Sequence, residues 1–538
     1  MKIKPGYKTI AWLLVFWCFA TYWNIGKAFH IDDTAHLQIA QWIERNPFHP
    51  MSGWVNWTSE AVPISTANQP HLYFYLMAGW AHLFGYSEIA IHSLMALFTL
   101  WAICAFYRLA ALVDRDRALY VTALFSLSAA FVVGQNSMVD VPLIAVWLEF
   151  YHVLLNPRYA DKKKYAIAAV LCAIGLLIKY TSLLLVPAMV IHIVLARKYK
   201  SAGWILIPAA TLLLWSAFNI YDYGEIHILN RPRLLKTPLT YWTYSVTWIV
   251  GLGAMLPFAV FGFYAQLKQS ASTAAKMIWS ILCGLTLLAP AVVLLSAVKN
   301  IAVVNSALFF SCVLSGIGVL CMCCQTVKKQ KTENENENKN DGNSIQWLLL
   351  YWMGSSFLFI VFFAPFMAVR HVLLAMPAVL LLIYPQVART SNIAKLYWIS
   401  IALTVFNTTL LAKADAWYAG IYKTNAAQIV QYLSLDVPIW FVGHWGWQWY
   451  AQQSGMKFLS NSERPNIGDY LVVPLNIIGG DVPDRLEVLE LQTVKIERTY
   501  WFQHYANIYF YVSPGLPWGY SNGAVETFKL YRVMGVKN

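Results

Sequence analysis

The chain has 538 residues, 59% of them hydrophobic and only 12% charged, with a positive mean hydropathy. A water-soluble globule of that composition would have nowhere to put its apolar surface, so a polytopic membrane protein is expected instead. The net charge of +13 does not signal nucleic acid, because the basic residues fall in short clusters between apolar runs, where they act as topology signals.

Lys2, Lys4 and Lys8 precede an apolar run at 9–29, long enough to span about 30 Å of hydrocarbon and followed by no small-residue cleavage site. It reads as an uncleaved first helix with its N-terminus cytoplasmic. Residues 30–36, His-Ile-Asp-Asp-Thr-Ala-His, are then on the outer face. Two carboxylates where a membrane helix meets water are costly beside hydrocarbon and are seldom there without a task.

The next basic cluster, Arg108 with Arg115 and Arg117, belongs inside, yet two apolar runs, 70–85 and 88–110, lie between it and the outer loop. One of them should not cross. The shorter, with Tyr73, Tyr75 and Trp80, has the character of a helix lying on the outer surface. A crossing at 118–134 then puts the turn at 136–140, and with it Asp140, outside. The segment 165–196, bounded by basic clusters, should cross twice with its tip at 179–182, which brings Lys179 to the outer face.

After a crossing at 204–220 comes an outer loop, 221–240, holding Asp222, Glu225, His227, Arg231, Arg233 and Lys236. Its cations face outward against the positive-inside bias, which suggests that they meet an anion. Crossings at 242–264, 277–296 and 301–323 lead to a polar tract, 328–343, expected as a disordered cytoplasmic loop. Runs at 346–364, 371–387 and 396–412 follow, with an outer turn at Arg370-His371. The tally is about thirteen helices.

From residue 413 the pattern changes, with strands expected at 437–443, 470–473, 507–512 and 527–533 and a helix at 445–454. The expected architecture is an α-helical polytopic domain, 1–412, followed by a small α/β domain on the outer face, 413–538. All eight cysteines lie in apolar runs or at the end of one, which argues against a disulfide framework.

The outer ionisable groups form two sets: carboxylates Asp32, Asp33 and Asp140, and cations Lys179 and Arg370 with the 221–240 loop. A carboxylate base beside a cationic cradle suits transfer of a group from a phosphorylated lipid. Structural alternatives exist for each. Asp32 or Asp33 could be only a helix N-cap, Asp140 a solvated turn residue, Lys179 a snorkelling lysine and Arg370 a helix-end anchor. A divalent cation among the carboxylates, with His30 and His36 nearby, is left open.

The acidic pair after the first helix, Gln69-Pro70-His71-Leu72-Tyr73-Phe74-Tyr75, the outer Ser137-Met138-Val139-Asp140 and the turn Gly175-Leu176-Leu177-Ile178-Lys179 recur in a familiar order. The arrangement resembles the GT-C integral-membrane glycosyltransferases, in particular the dolichyl-phosphate-mannose protein mannosyltransferases and the bacterial transferases that put aminoarabinose on lipid A. The likeness covers roughly residues 10–200, with a weaker echo at Arg370-His371-Val372-Leu373-Leu374-Ala375-Met376-Pro377.

That resemblance implies a polyprenyl-phosphate sugar donor, inversion at the anomeric carbon and a hexosyl- or pentosyltransferase of the bacterial inner membrane. Its periplasmic face would act on an envelope glycan, lipid (lipopolysaccharide core among them) or protein. It implies Asp32 as catalytic base with Asp33, where Glu is usual, as its partner. Asp140 would orient the acceptor or a metal, and Lys179 and Arg370 would meet the donor phosphate. The lipid A transferases carry a lysine where Gln69 stands, so His71, when protonated, is the candidate for the missing cation. The rival readings are a secondary transporter, whose ionisable groups would sit near the bilayer midplane, and a non-catalytic scaffold of the same fold.

Overall fold

The computed structural model describes residues 6–57, 60–231, 235–255, 259–295, 300–337, 341–387, 393–433, 436–506 and 515–536. The chain is mostly helical up to residue 432 and then forms a small β-rich unit. Among the described residues four spans, Glu88–Val113, Tyr199–Tyr223, Ile301–Thr326 and Ile345–Phe363, are long and apolar enough to cross a membrane. With them the chain is a multi-pass membrane protein.

Position in the bundle shows in how much of each helix is buried. Asp140–Leu155 buries every residue from Val141 to Leu155 except Glu149, so it runs through the middle of the bundle. Leu206–Tyr223 buries only Pro208, Asn219 and Asp222, so most of its apolar surface faces outward. The helix Leu72–Phe84 has 13 residues, about 20 Å at 1.5 Å per residue, and is too short to cross a bilayer.

Several elements differ from the sequence reading. The run at 118–134 is two helices, Ala118–Ser126 and Ala129–Val133, because Ser128 caps the second by accepting from the Phe131 N–H. Of the run at 242–264 the described residues lie in the helices Pro238–Met255 and Ala259–Gln269, and residues 256–258 lie outside the described residues. The helix Ile301–Glu337 continues into the tract expected to be a loop, of which residues 338–340 lie outside the described residues. By contrast the tip at 179–182 is as the charge pattern requires. Asp161–Ile178 ends where Lys179 turns extended (φ −157°), and a 3₁₀ turn, Tyr180–Leu184, leads into Leu185–Leu195.

A hairpin in the first outer loop pairs β1 (Trp54–Asn56) with β2 (Ala61–Pro63). The C-terminal sheet comprises β3 (Ile439–Phe441), β4 (Lys457–Phe458), β5 (Tyr470–Pro474), β6 (Leu486–Ile496) and β7 (Glu526–Val536), in the order β4-β3-β5-β7-β6. β4, β3 and β5 are parallel, and β7 runs antiparallel to both β5 and β6. β6 was absent from the sequence reading: its Glu, Gln and Lys residues break the apolar pattern, and most of it is exposed. The strand expected at 507–512 lies outside the described residues.

The helix Ile393–Tyr432 passes straight through residue 413, where the composition changes, and carries the chain up to the sheet. After β3 the helix Trp445–Gln453 docks on the first outer loop. Thr34 Oγ1 donates to the Trp445 carbonyl (2.6 Å), and the Phe29 N–H donates to Tyr450 Oη (2.8 Å). Below them the buried pair Lys27–Asp415 (3.0 Å) ties the start of that loop to the long helix. The segment 27–34 is thus held from below and from the side.

Candidate active site

The pivot is a turn at residues 30–33. The Asp33 N–H donates to the His30 carbonyl (3.1 Å), while the His30 N–H donates to Asp33 Oδ2 (2.8 Å), closing the turn from both sides. Between them Ile31 is fully buried with φ of 52°, a left-handed conformation that a β-branched residue adopts only under constraint. In consequence the two acids diverge. Asp33 turns inward, accepting also from the Ser137 N–H (2.8 Å), and is fully buried. Asp32 occupies the N-cap position of the helix Asp33–Arg45, but its side chain caps nothing. It points instead to Arg370, whose Nη2 lies 3.2 Å from Asp32 Oδ2.

Asp140, first residue of the central helix, meets Lys179 Nζ at 3.0 Å and Arg370 Nε at 3.8 Å. Asp32, Asp140, Lys179 and Arg370 therefore form one alternating chain of charge. All four line a single cavity. Its remaining lining includes His36, Trp57, Asn68, Gln69, Arg231 and an apolar side built from Phe359, Ile360, Pro365 and Phe366. Three cations face two carboxylates there, a balance that favours an anionic ligand.

Two residues singled out in the sequence are not in the lining. Burial pushes the Asp33 carboxyl up to about 7 despite its two backbone donors, so it acts as a clamp between the first outer loop and the turn before Asp140. His71 is fully buried and packs edge-on against Phe74. Burial lowers its pKa to about 3, which favours the neutral ring. Of the 221–240 loop, Arg231 is in the cavity and Arg233 lies outside the described residues. Lys236 bonds the Val361 carbonyl (2.8 Å), and Asp222 accepts from the Met51 N–H (2.7 Å).

The sequence reading assigned no part to Trp57, Asn68, Phe359 or Phe366, and it weighed His36 only as a metal neighbour. The one available signal was the aromatic and amide content of residues 57–69 beside the acidic pair. Among the described residues no group of three or more His, Cys, Asp or Glu side chains is arranged to hold a metal ion.

Residues 68–221 match the family described as dolichyl-phosphate-mannose-protein mannosyltransferase. No curated protein matches the chain. Among solved structures the chain is similar to ArnT from Cupriavidus metallidurans bound to undecaprenyl phosphate (13% identity, 86% of this chain and 92% of that one, TM-score 0.40). It is similar to the Archaeoglobus fulgidus oligosaccharyltransferase tethered with an acceptor peptide (11% identity, 86% and 65%, TM-score 0.46). It is also similar to the arabinofuranosyltransferase AftD from Mycobacteria (14% identity, 97% and 41%, TM-score 0.40). The matched segment, over which the chain is similar to that family, contains Gln69, Asp140 and Lys179.

Proposed function

We propose that this protein is a glycosyltransferase that moves a sugar from a polyprenyl-phosphate donor to a hydroxyl of an envelope acceptor, with inversion, on the periplasmic side of the inner membrane. The observation that carries the reading is the convergence of Asp32, Asp140, Lys179 and Arg370 on one cavity, although they come from four separate segments of the chain. The family matched at residues 68–221 is named for a lipid-phosphate sugar, which supports the donor class. In this reading about thirteen crossings put residues 413–538 outside as a second unit beside the acceptor.

The chemistry asks for little beyond these groups. Asp32 takes the proton of the acceptor hydroxyl as that oxygen forms its bond to the anomeric carbon. The bond from that carbon to the phosphate oxygen breaks on the opposite face, and the electron pair leaves with polyprenyl phosphate. Lys179, Arg370 and Arg231 take up the charge that develops on the leaving phosphate. Asp140 holds Lys179 and Arg370 in place for that role, and Asp33 is a positioning residue that fixes the turn from which Asp32 projects.

A transporter would concentrate its ionisable groups on broken helices near the midplane. Here they stand at element ends: Asp32 just before a helix, Asp140 at a helix start, Lys179 just past a helix and Arg370 in a short 3₁₀ turn.

The test compares intact protein with Asp32→Asn in membranes supplied with a panel of radiolabelled polyprenyl-phosphate sugars, following loss of label from the carrier and its arrival on an acceptor. Transfer by the intact protein should fall by at least about a hundredfold in the variant, the usual contribution of a general base. Undiminished transfer in a folded, membrane-inserted Asp32→Asn would remove the base assignment.

A further inference from the structure

Part of the cavity lining is polar yet uncharged, and it clusters around His36. Nδ1 of His36 lies 2.9 Å from the Ser137 carbonyl oxygen, which can only accept, so Nδ1 carries the ring proton and Nε2 is an acceptor. Gln69 Nε2, 3.3 Å from His36 Nε2, is therefore the donor, and the amide of Gln69 is oriented with its nitrogen toward the ring. Burial keeps His36 below its ordinary pKa, which preserves this arrangement. On its other side the His36 ring meets Trp57 edge-on at 5.9 Å, setting the indole in the same part of the cavity.

The neighbouring Asn68 carries the clearest sign of a ligand. Its Oδ1 is buried and, among the described residues, has no hydrogen-bond partner, although Asn68 lines the cavity. A buried acceptor left unmade is costly and is commonly completed by what binds there. The segment 67–69 is also firmly held from behind. His227 Nε2 donates to the Ala67 carbonyl (2.7 Å), Tyr180 Oη donates to His227 Nδ1 (2.8 Å), and Trp215 Nε1 donates to Tyr180 Oη (2.9 Å). The same Tyr180 ring carries Arg231 on its face, 5.2 Å from the centroid.

We propose that Trp57, Asn68 and Gln69 are the sugar subsite of the cavity and that it takes an uncharged hexose or pentose, with hydroxyls bonded to the two carboxamides and the C–H face of the ring laid on the indole. The inference rests on the glycosyltransferase reading and deepens it. Carboxamides both donate and accept, as sugar hydroxyls do, and an aromatic face suits the apolar side of a pyranose or furanose. A sugar ammonium would meet a lining in which Asp32 and Asp140 are already paired with Arg370 and Lys179 and cations outnumber carboxylates. A sugar carboxylate would compete with the donor phosphate for the same cations.

The test measures equilibrium binding of the full chain in detergent to undecaprenyl phosphate alone and to the same carrier bearing glucose, mannose, galactose, arabinose, glucosamine or glucuronic acid. At least one uncharged sugar should tighten binding about tenfold or more over the bare carrier, while glucosamine and glucuronic acid should not. Asn68→Ala and Gln69→Ala should each remove about tenfold of that gain, with affinity for the bare carrier unchanged as the control for folding. Gln69→Lys should turn the preference toward glucuronic acid.

A gain that persists in both alanine variants would overturn the subsite while leaving the glycosyltransferase reading intact. So would equal binding of the charged sugars. Failure of the intact protein to bind any carrier, bare or glycosylated, would overturn the reading itself.

Discussion

Arg370 reaches Asp32 at 3.2 Å across 338 positions of sequence, and in doing so joins the acidic loop after the first apolar run to a 3₁₀ turn late in the chain. Its Nε also stands 3.8 Å from Asp140. One guanidinium therefore faces two carboxylates in a site that is largely closed to water.

Arg370→Ala should destabilise the protein by roughly 3 kcal/mol, because it leaves Asp32 and Asp140 short of a partner in a nearly buried setting. A thermal melt in detergent measures this. Arg370→Lys should recover part of the stability but not the activity, since an ammonium cannot span both acids as a planar guanidinium does.

Lys179→Met should lower kcat with a polyprenyl-phosphate donor by about tenfold or more, the scale of one charge-assisted hydrogen bond, with a smaller effect on the donor KM. Steady-state kinetics with a varied donor separate the two. An unchanged kcat would restrict Lys179 to holding Asp140.

Asp33 gives a prediction with a definite sign. Its folded-state pKa, about 7, lies above the ordinary 3.8, so burial favours the protonated acid in the folded protein. The stability it contributes is fully present below about pH 4 and is lost as the pH rises toward 7. The melting temperature should therefore decline over that interval, and Asp33→Asn should flatten the decline. The asparagine should also cost about 1–3 kcal/mol at low pH, since its NH₂ would face one of the backbone donors now bonded to the carboxyl.

His71→Phe should leave the donor KM within about threefold of the parent and act mainly on stability, by about 1–3 kcal/mol, through repacking of the larger ring in the buried site beside Phe74. A large rise in donor KM with an unchanged melt would instead restore His71 as a phosphate ligand.

Gly446→Ala should impair the site from outside it. A Cβ at that position would overlap the Phe29 carbonyl oxygen, because the helix Trp445–Gln453 lies directly against the segment leading to Asp32. The expected result is a loss of about 1–3 kcal/mol in stability and a fall in kcat, both read on the same preparation.

Much of this molecule is fixed by local chemistry. Long apolar runs between basic clusters dictate a membrane bundle, and the acidic pair, Asp140, Lys179 and Arg370 are conspicuous because charge at the end of an apolar run is expensive. The tip at Lys179 and the strands around 439, 470 and 526 follow from residue pattern alone. Tertiary structure decides which of two adjacent acids meets the cavity: the left-handed Ile31 sends Asp33 to the backbone donors of His30 and Ser137 and leaves Asp32 to Arg370. It also decides that His71 is walled in behind Phe74 while Gln69, two residues earlier, reaches the cavity through its bond to His36. Sequence spacing carries the type and order of these groups. Their direction depends on contacts between segments far apart in the chain, and those exist only once the bundle has packed.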